Sequence, residues 1–463
     1  RKKQQLLSNF IADFADHPEI RKLKNQDPEE LIRKDWVFAT LLRANGIEPL
    51  QKRMKDGKCK VCKGTGEVLI EPVTQNPLTQ TCPECEGKGE VERFKYAFAK
   101  TDDFMRELED HEDEDVQLIT KAKLAAHSNG TQTRTYRLGW MSTRGDMTVY
   151  LNYCGTHLKG WSGGDKVNWQ NFRRNGPIAQ AIEAPKGWKV VVADASQVEC
   201  RLLNKIAGQE DVIERFRNRE DPYVNLASIF YGETIYKPKP GDPRQQEMEE
   251  KRGTGKQGEL SCGYGAGDKT IQATAKKGLY GPPVYLSDED SRRLKDTYRD
   301  THTHVVMHWK DASDVLKKIH AGMEFEWGPM YIKDKRMWLP NGLPVIYDTL
   351  TWQDDPDDGG DAGWRVRVNK NGWSRMYGSK LVENEIQALR NVLIREAWTR
   401  CRAAGLDFVS MEHDKLIAIV REHEAEAAFT FLRDEMSRPP TWLPGVPLDS
   451  EGYISDTFAK PEK

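Results

Sequence analysis

No stretch of this chain is long and apolar enough to span a bilayer, and its first ten residues, RKKQQLLSNF, lack the apolar core of a signal peptide. A cytosolic setting, with no membrane partner, is the default expectation. Net charge is nearly absent too. Lys and Arg number 70 against 72 Asp and Glu, a balance of −2, so no overall basic field attracts a nucleic acid and any such surface must be local. Four of the eight cysteines, Cys154, Cys200, Cys262 and Cys401, stand singly, as reduced core thiols do, which argues against an oxidising compartment. What is present is 463 residues, 38% of them hydrophobic, enough for two or three domains. The chain opens at Arg1 and not at Met, which leaves room for sequence upstream.

The other four cysteines are grouped. Cys59, Cys62, Cys82 and Cys85 form CKVC and CPEC, two C-x-x-C pairs separated by residues 63–81. Each pair runs into a Gly-x-Gly turn (CKGTGEV, CEGKGEV), so the segment is a near-repeat of two knuckles. That spacing predicts a four-cysteine zinc ribbon over 58–92, because two thiolate pairs complete a closed tetrahedral site. A disulfide pair is the alternative. Apolar spacing predicts helices over 1–57, in LLSNFIADF and LIRKDWVFATLLRANGI, and again after the ribbon, where the acidic run at 107–115 reads as a solvated helix face.

The segment 186–208, KGWKVVVADASQVECRLLNKIAG, organises the rest. Trp188 to Ala193 reads as a strand buried on both faces, and from Ser196 the apolar positions Val198, Leu202, Leu203 and Ile206 fall at helical spacing up to a Gly208 stop. Asp194 thus sits where a core strand gives way to a helix, a rigid place for a metal-binding carboxylate and equally an ordinary place for a helix cap. LDFVSMEHDKLIAIV reads as two short strands meeting at His413-Asp414, which sets Asp414 at a hairpin tip able to meet Asp194. Two such aspartates are the minimum for two-metal phosphoryl transfer. Between them, 205–370 reads as mostly helical. There GTGK fails as a P-loop, since no Gly precedes Gly255 by five positions and Gln257 replaces Ser or Thr. Arg252, Lys256, Leu260 and Tyr264, at steps of four, would share one helix face offering two cations, an apolar residue and an aromatic to a triphosphate, a sugar and a base. The polar, aromatic and basic stretch 131–183 suits either a nucleic-acid grip or a surface meander.

Taken in order, DASQVECR (194–201), the spacing R-x-x-x-K-x-x-x-L-x-x-x-Y-G from Arg252 to Gly265, and EHDKL (412–416) resemble the motifs of family A DNA polymerases, the DNA polymerase I type, especially their bacteriophage members. NWQNFRR (168–174) resembles the template-gripping segment, and YGSKLVENEIQALRNVL (377–393) the palm helix carrying a minor-groove glutamine, Gln387. The likeness runs from about residue 95 to 455. It implies an α+β right hand: thumb 1–150 with the ribbon 58–92 inserted, palm 151–204 and 371–463 built on an antiparallel sheet, and helical fingers 205–370. The implied reaction is template-directed addition of deoxynucleotides to a primer 3′ end, without a proofreading domain of its own, since no Asp-x-Glu lies on a strand in the first 130 residues.

The resemblance assigns roles at matching positions. Asp194 and Asp414 would hold two Mg²⁺ ions. Arg252 and Lys256 would bind the phosphates, with Lys256 a proton donor to the leaving group. Glu199, Gln197, Tyr264, Leu260 and Tyr223 would surround the incoming nucleotide, Glu199 by blocking a ribose 2′-hydroxyl. His413, Gln387, Arg201, Gln170, Asn171 and Lys159 would face primer and template. Partners would be primer-template DNA, deoxynucleoside triphosphates and an accessory protein at the thumb, in the host cytoplasm if phage-encoded. Four positions depart from the family pattern: Leu260 for an aromatic under the sugar, Lys415 for an acid beside the metals, Tyr223 for a phosphate-binding His, and Gly160, in LKG, for a primer-contacting Arg that Lys159 would replace. The rivals are an RNA polymerase or reverse transcriptase, a zinc-dependent protein-binding module, and a non-catalytic polymerase.

Overall fold

The computed structural model describes residues 28–58, 61–63, 65, 67–69, 79–100, 102–127, 130–172, 176–354, 362–369 and 372–461. The chain divides into two compact units, Arg1–Arg137 and Leu138–Lys463.

In the first unit, helices α1 (Pro28–Arg33), α2 (Asp35–Ala44), α3 (Asp103–Glu109) and α4 (Glu114–His127) enclose a core of Ile32, Phe38, Leu42, Met105, Ile119 and Ala122. These residues recur at three- and four-residue steps, so each helix presents one apolar stripe inward. The helix expected in LLSNFIADF lies outside the described residues. The helix read in LIRKDWVFATLLRANGI is present as α1 and α2 up to Ala44, the helical expectation over 51–57 is corrected to strand, and the acidic run at 107–115 spans a break between α3 and α4. Between α2 and α3 the chain leaves on β1 (Gln51–Lys58) and returns on β4 (Glu90–Tyr96), an antiparallel stem. Beyond the stem, β2 (Glu67–Leu69) pairs with β3 (Thr79–Thr81).

Helix α5 (Gly130–Ser142) carries the chain into the second unit. The opening of the polar 131–183 stretch is therefore helical, because Leu138 and Met141, one turn apart, find buried partners in Val167 and Trp169. After the short β5 (Leu151–Asn152), β6 (Ser162–Gly163) and α6 (Pro177–Gln180) comes β7 (Trp188–Ala195), the central strand. It lies in a four-stranded antiparallel sheet ordered β15-β16-β7-β17, with β15 (Phe408–Glu412), β16 (Lys415–Arg421) and β17 (Ser450–Ser455). As the apolar run in VVVA requires, Val191, Val192 and Ala193 are buried on both faces.

Helix α7 (Val198–Ala207) follows β7 and stops at Gly208, whose φ of 75° is the left-handed end expected of it. Helices α8 (Glu210–Arg217), α9 (Pro222–Tyr231), α10 (Gln245–Cys262), α11 (Asp268–Lys276), α12 (Asp288–Thr301) and α13 (Thr303–His320) make the helical region. Gly255 and Gly258 explain themselves in α10. A Cβ on Gly255 would stand 2.0 Å from the Tyr223 carbonyl oxygen of α9, and one on Gly258 2.6 Å from Leu226. Close helix packing decides there, against the roughly 1 kcal/mol per residue that Gly costs in a helix. The expectation of helix as far as 370 is corrected. From Phe325 the chain forms two antiparallel meanders, β8 (Phe325–Trp327), β9 (Met330–Lys333), β10 (Arg336–Trp338) and β11 (Pro344–Ile346), then β12 (Thr351–Gln353), β13 (Gly363–Asn369) and β14 (Gly372–Met376). The physical reason is two-residue alternation: Met330 and Ile332 are buried while Tyr331 and Lys333 are exposed. The 26-residue α14 (Gly378–Ala403) packs against α7 and α13, and α15 (Ala425–Met436) against β7.

Candidate active site

The register of the sheet sets the site. Asp194 on β7 is directly opposite Lys415 on β16 and Glu451 on β17, and Lys415 is directly opposite Glu412 on β15. Opposed residues of antiparallel strands point to one face. Four charged residues therefore cross the sheet in a row: Glu412, Lys415, Asp194, Glu451. Asp414 sits in the two-residue β15–β16 turn, as the hairpin reading requires, and its carbonyl accepts a hydrogen bond from the Ala195 amide at 3.0 Å. That bond ties the tip of the hairpin to the end of β7. Burial pushes the Asp414 carboxyl above its ordinary range, opposed chiefly by the cation of Arg390.

Asp194 and Asp414 face one cavity of about 650 Å³. Its lining includes Gln197, Glu199, Arg201, Tyr223, Arg252, Lys256, Leu260, Tyr280 and Glu451. Nine of the residues singled out in the sequence thus meet there, drawn from β7, α7, α9, α10 and the β15–β16 turn. Arg252 donates to Asp221 Oδ2 at 2.6–2.7 Å and lies over the Tyr223 ring at 5.3 Å. Asp221 in turn caps α9 by accepting the Tyr223 amide at 3.0 Å, so the guanidinium is held in place at the cavity wall. Arg201 is braced by carbonyls, its Nε donating to Ser196 at 2.8 Å and its guanidinium NH1 to Pro447 at 2.6 Å.

Helix α10 ends at Cys262, so the four-residue step reaches Leu260, and Tyr264 stands just past the helix end. It lines an adjoining cavity of about 460 Å³ together with Glu199, Leu260, Tyr280 and Gln387. The Tyr264 hydroxyl donates to Glu199 Oε2 at 2.6 Å. A third cavity, about 380 Å³, gathers Gly160, Gln170, Gln387, Arg390, Asn391 and His413. Lys159 and Asn171 are not in its lining. Lys159 lies in a tight turn at φ 62°, and Asn171 is exposed at the end of a single 3₁₀ turn. Gln197 and His413 also have left-handed backbone, with φ of 47° and 54°, a conformation that costs a non-glycine residue on the order of 1–3 kcal/mol.

Two of the four departures gain a physical account. Lys415 is buried and donates to Glu412 Oε2 at 3.0 Å, so the reversed charge beside Asp194 carries its own counter-charge. At Gly160 a Cβ would stand 3.1 Å from both Asn391 Nδ2 and Thr156 Oγ1, so the space for a larger side chain is filled. The sequence reading passed over Arg390, Asn391 and Glu451. Arg390 follows Gln387 by three positions on one helix, a spacing that would have put it on the same face.

Of the four grouped cysteines, Cys59 lies outside the described residues. Cys62, Cys82 and Cys85 are buried, with sulfur atoms all within 4.8 Å of one another. Cys62 and Cys85 sulfurs are 3.6 Å apart, far beyond the roughly 2.05 Å of a disulfide. The Gly89 amide donates to Cys85 Sγ at 3.3 Å, and burial pushes the Cys85 thiol up to about 11. The residue after the second cysteine of each pair, Lys63 and Glu86, has left-handed φ, 56° and 51°. The near-repeat in sequence is thus matched in backbone at these two positions.

No family model matches the chain. In sequence it is 25% identical over 298 residues to a DNA polymerase of Bacillus phage SP02, covering 61% of this chain and 43% of that protein. It is 22% identical over 291 residues to the thermostable DNA polymerase I of Thermus filiformis, covering 61% and 29%. A shorter match, 36% identical over 69 residues, joins it to the thermostable DNA polymerase I of Thermus thermophilus, covering 14% and 8%. The chain thus spans less than half the length of these curated relatives. In structure it is similar to the POL domain of Pol1 from M. smegmatis, solved in complex with DNA primer-template and dNTP, with a TM-score of 0.56 and 16% identity over 98% of this chain and 66% of that one. The fold is that of a DNA polymerase POL domain, and the sequence is similar to phage and bacterial DNA polymerases.

Proposed function

We propose that this chain is the polymerase core of a family A DNA polymerase, adding deoxynucleotides to a primer 3′ end under template direction. The observation that carries this reading is the shared cavity: Asp194 and Asp414 open onto the same space as Arg252 and Lys256. Carboxylates from two chain segments joined by a backbone hydrogen bond, set across from cations on a helix, suit a substrate that brings both a metal and phosphates. The donor set fits the ion. Hard carboxylate oxygens in a polar cavity match Mg²⁺, and two such ions held by Asp194 and Asp414 would lower the pKa of the primer hydroxyl and offset phosphate charge.

The chain's own groups have separable tasks in this reading. Arg252, fixed by Asp221, and Lys256 bind the triphosphate, and Lys256 gives a proton to the leaving pyrophosphate in this reading. Glu199 excludes a 2′-hydroxyl, Leu260 lies under the sugar, and Tyr264 closes over the nascent pair. Gln197 and Gln387 donate in the minor groove, where every base pair offers acceptors at shared positions. His413 steadies the primer terminus, and Gln170, held by its Nε2 to the Trp161 carbonyl at 2.8 Å, belongs to the template side. In right-hand terms the first unit is a thumb, the β7 sheet the palm and α8–α13 the fingers. The work would be done in the cytoplasm of a host cell on phage DNA. The ribbon thiols suit one structural Zn²⁺, with Cys59 as the fourth ligand.

Primer extension with deoxy- and with ribonucleotides tests the reading. The parent chain with Mg²⁺ extends with deoxynucleotides. Asp194→Ala and Asp414→Ala fall by several orders of magnitude, since each removes a ligand from the site that stabilises the developing charge. Full extension by either variant, or none by the parent, rejects it.

A further inference from the structure

We propose that Arg390 is a specificity-determining positioning residue: it pins the Glu199 carboxylate at the nucleotide cavity and so sets the discrimination between deoxyribose and ribose. The inference rests on the polymerase reading and deepens it. Glu199 stands in the first turn of α7, and Arg390 on α14. Their side chains meet at 2.5 Å between the guanidinium NH1 and Glu199 Oε1, while the other oxygen, Oε2, accepts the Tyr264 hydroxyl at 2.6 Å. One carboxylate is thus held from two sides by two elements far apart in the chain.

That double hold matters because a glutamate has three side-chain torsions, and a single hold leaves more of that rotamer freedom in place. A carboxylate that swings cannot exclude a hydroxyl at one place. Tyr264 stands just past the end of α10, so its bond ties one carboxylate oxygen to that side of the cavity alone. Arg390 belongs to the long helix packed against α7, with side chains only 16% and 24% exposed for Arg390 and Glu199, where a charge-assisted bond is stronger than at a free surface. Arg390 is itself fixed. Its NH2 donates to Asn391 Oδ1 at 3.2 Å, and Asn391 Nδ2 donates to the Leu158 carbonyl at 3.0 Å.

Charge gives a second reason. Glu199 lines the same cavity as Asp194 and Asp414, and without a cation beside it would be a further anion there. Paired with Arg390, its charge is offset by a cation. Arg390 also lines the cavity that holds Gln387 and His413, so it stands between the nucleotide and primer sides of the site.

The test is single-nucleotide insertion by the full chain, comparing kcat/KM for a deoxy- and a ribonucleoside triphosphate on one primer-template. Parent, Arg390→Ala, Arg390→Lys, Glu199→Ala and the Arg390→Ala/Glu199→Ala double variant are measured. Discrimination falls about tenfold or more in Arg390→Ala and recovers in part in Arg390→Lys. In the Glu199→Ala background, Arg390→Ala changes it by less than about twofold, because the group it holds is gone. Discrimination equal to the parent in an active Arg390→Ala, or losses that multiply in the double variant, overturn the proposal. Should Arg390→Ala not fold, Arg390→Gln, which keeps the length and one donor, is judged by the same ratios. A parent that inserts no nucleotide rejects the polymerase reading and this inference with it, and that outcome is distinct from an active parent whose ratio is insensitive to Arg390.

Discussion

Lys415 and Glu412 form a buried ion pair at 3.0 Å that closes the turn carrying His413 and Asp414. Both side chains are under a tenth exposed, and Glu412 Oε1 finds no hydrogen-bond partner among the described residues, so Lys415 is what makes the burial of that carboxylate tolerable. Removing one member of such a pair costs about 3–5 kcal/mol, whereas replacing both with apolar residues is often neutral. Lys415→Met is therefore expected to lose about that much in urea unfolding, and Lys415→Met/Glu412→Leu to regain most of it. Equal stability of Lys415→Met and the parent would mean that the pair is not coupled.

Glu259 gives a pH dependence with a definite sign. It is buried in α10, with the Cys200 thiol donating to Oε2 at 3.8 Å and His302 Nε2 at 3.5 Å from Oε1. Burial pushes its carboxyl up to about 8 and holds His302 down to about 4, so neither compensates the other. Below the ordinary Glu value of 4.5 both folded and unfolded chains hold the proton. Between there and about 8 the unfolded chain releases it first, so stability declines as pH rises through that window and levels off above it. Glu259→Gln should gain about 2–4 kcal/mol on the parent between pH 5 and pH 8. Parallel stability curves in the two proteins would refute this.

For the ribbon, Cys82→Ser is expected to abolish binding of one zinc per chain, read by metal analysis of the purified protein. If the knuckles grip DNA, products per binding event shorten and the salt dependence of DNA binding weakens, while single-nucleotide insertion at saturating DNA stays near the parent's. Loss of zinc with both quantities unchanged rejects the DNA grip and leaves a clip for the loop between β1 and β4 or a docking site for another protein.

Gly255→Ala sets two effects against each other. Alanine favours the helix by about 1 kcal/mol, but its Cβ would sit 2.0 Å from a backbone carbonyl that cannot swing aside. Overpacking costs about 1–3 kcal/mol, so the net expectation is destabilisation, seen as a lower melting temperature. A higher one would show that α9 and α10 separate easily.

Much of the site was legible because its signals are local. Trp188–Ala193 reads as a strand from its β-branched run, the stop at Gly208 from its residue type, and the 413–414 turn from two apolar runs meeting at polar residues. The ribbon spacing is local in the same way. The meanders after Phe325 were illegible because β8, β10, β11 and β12 have three residues each, too few to separate alternation from helical spacing. The Lys415–Glu412 and Arg390–Glu199 pairs depend on register and on helix packing, and no count along the chain gives either. Gly255 and Gly258 read as a weakness of α10 until the neighbouring helix is known.

Gln197 and His413 hold left-handed backbone beside the two aspartates. Glycine or asparagine would relax both positions and remove the side chains that line the cavities. Heat tolerance and synthesis therefore make opposite demands on the same two codons. A population bred only to survive warming would drift there toward glycine, and one bred for the proposed synthesis would keep the strain.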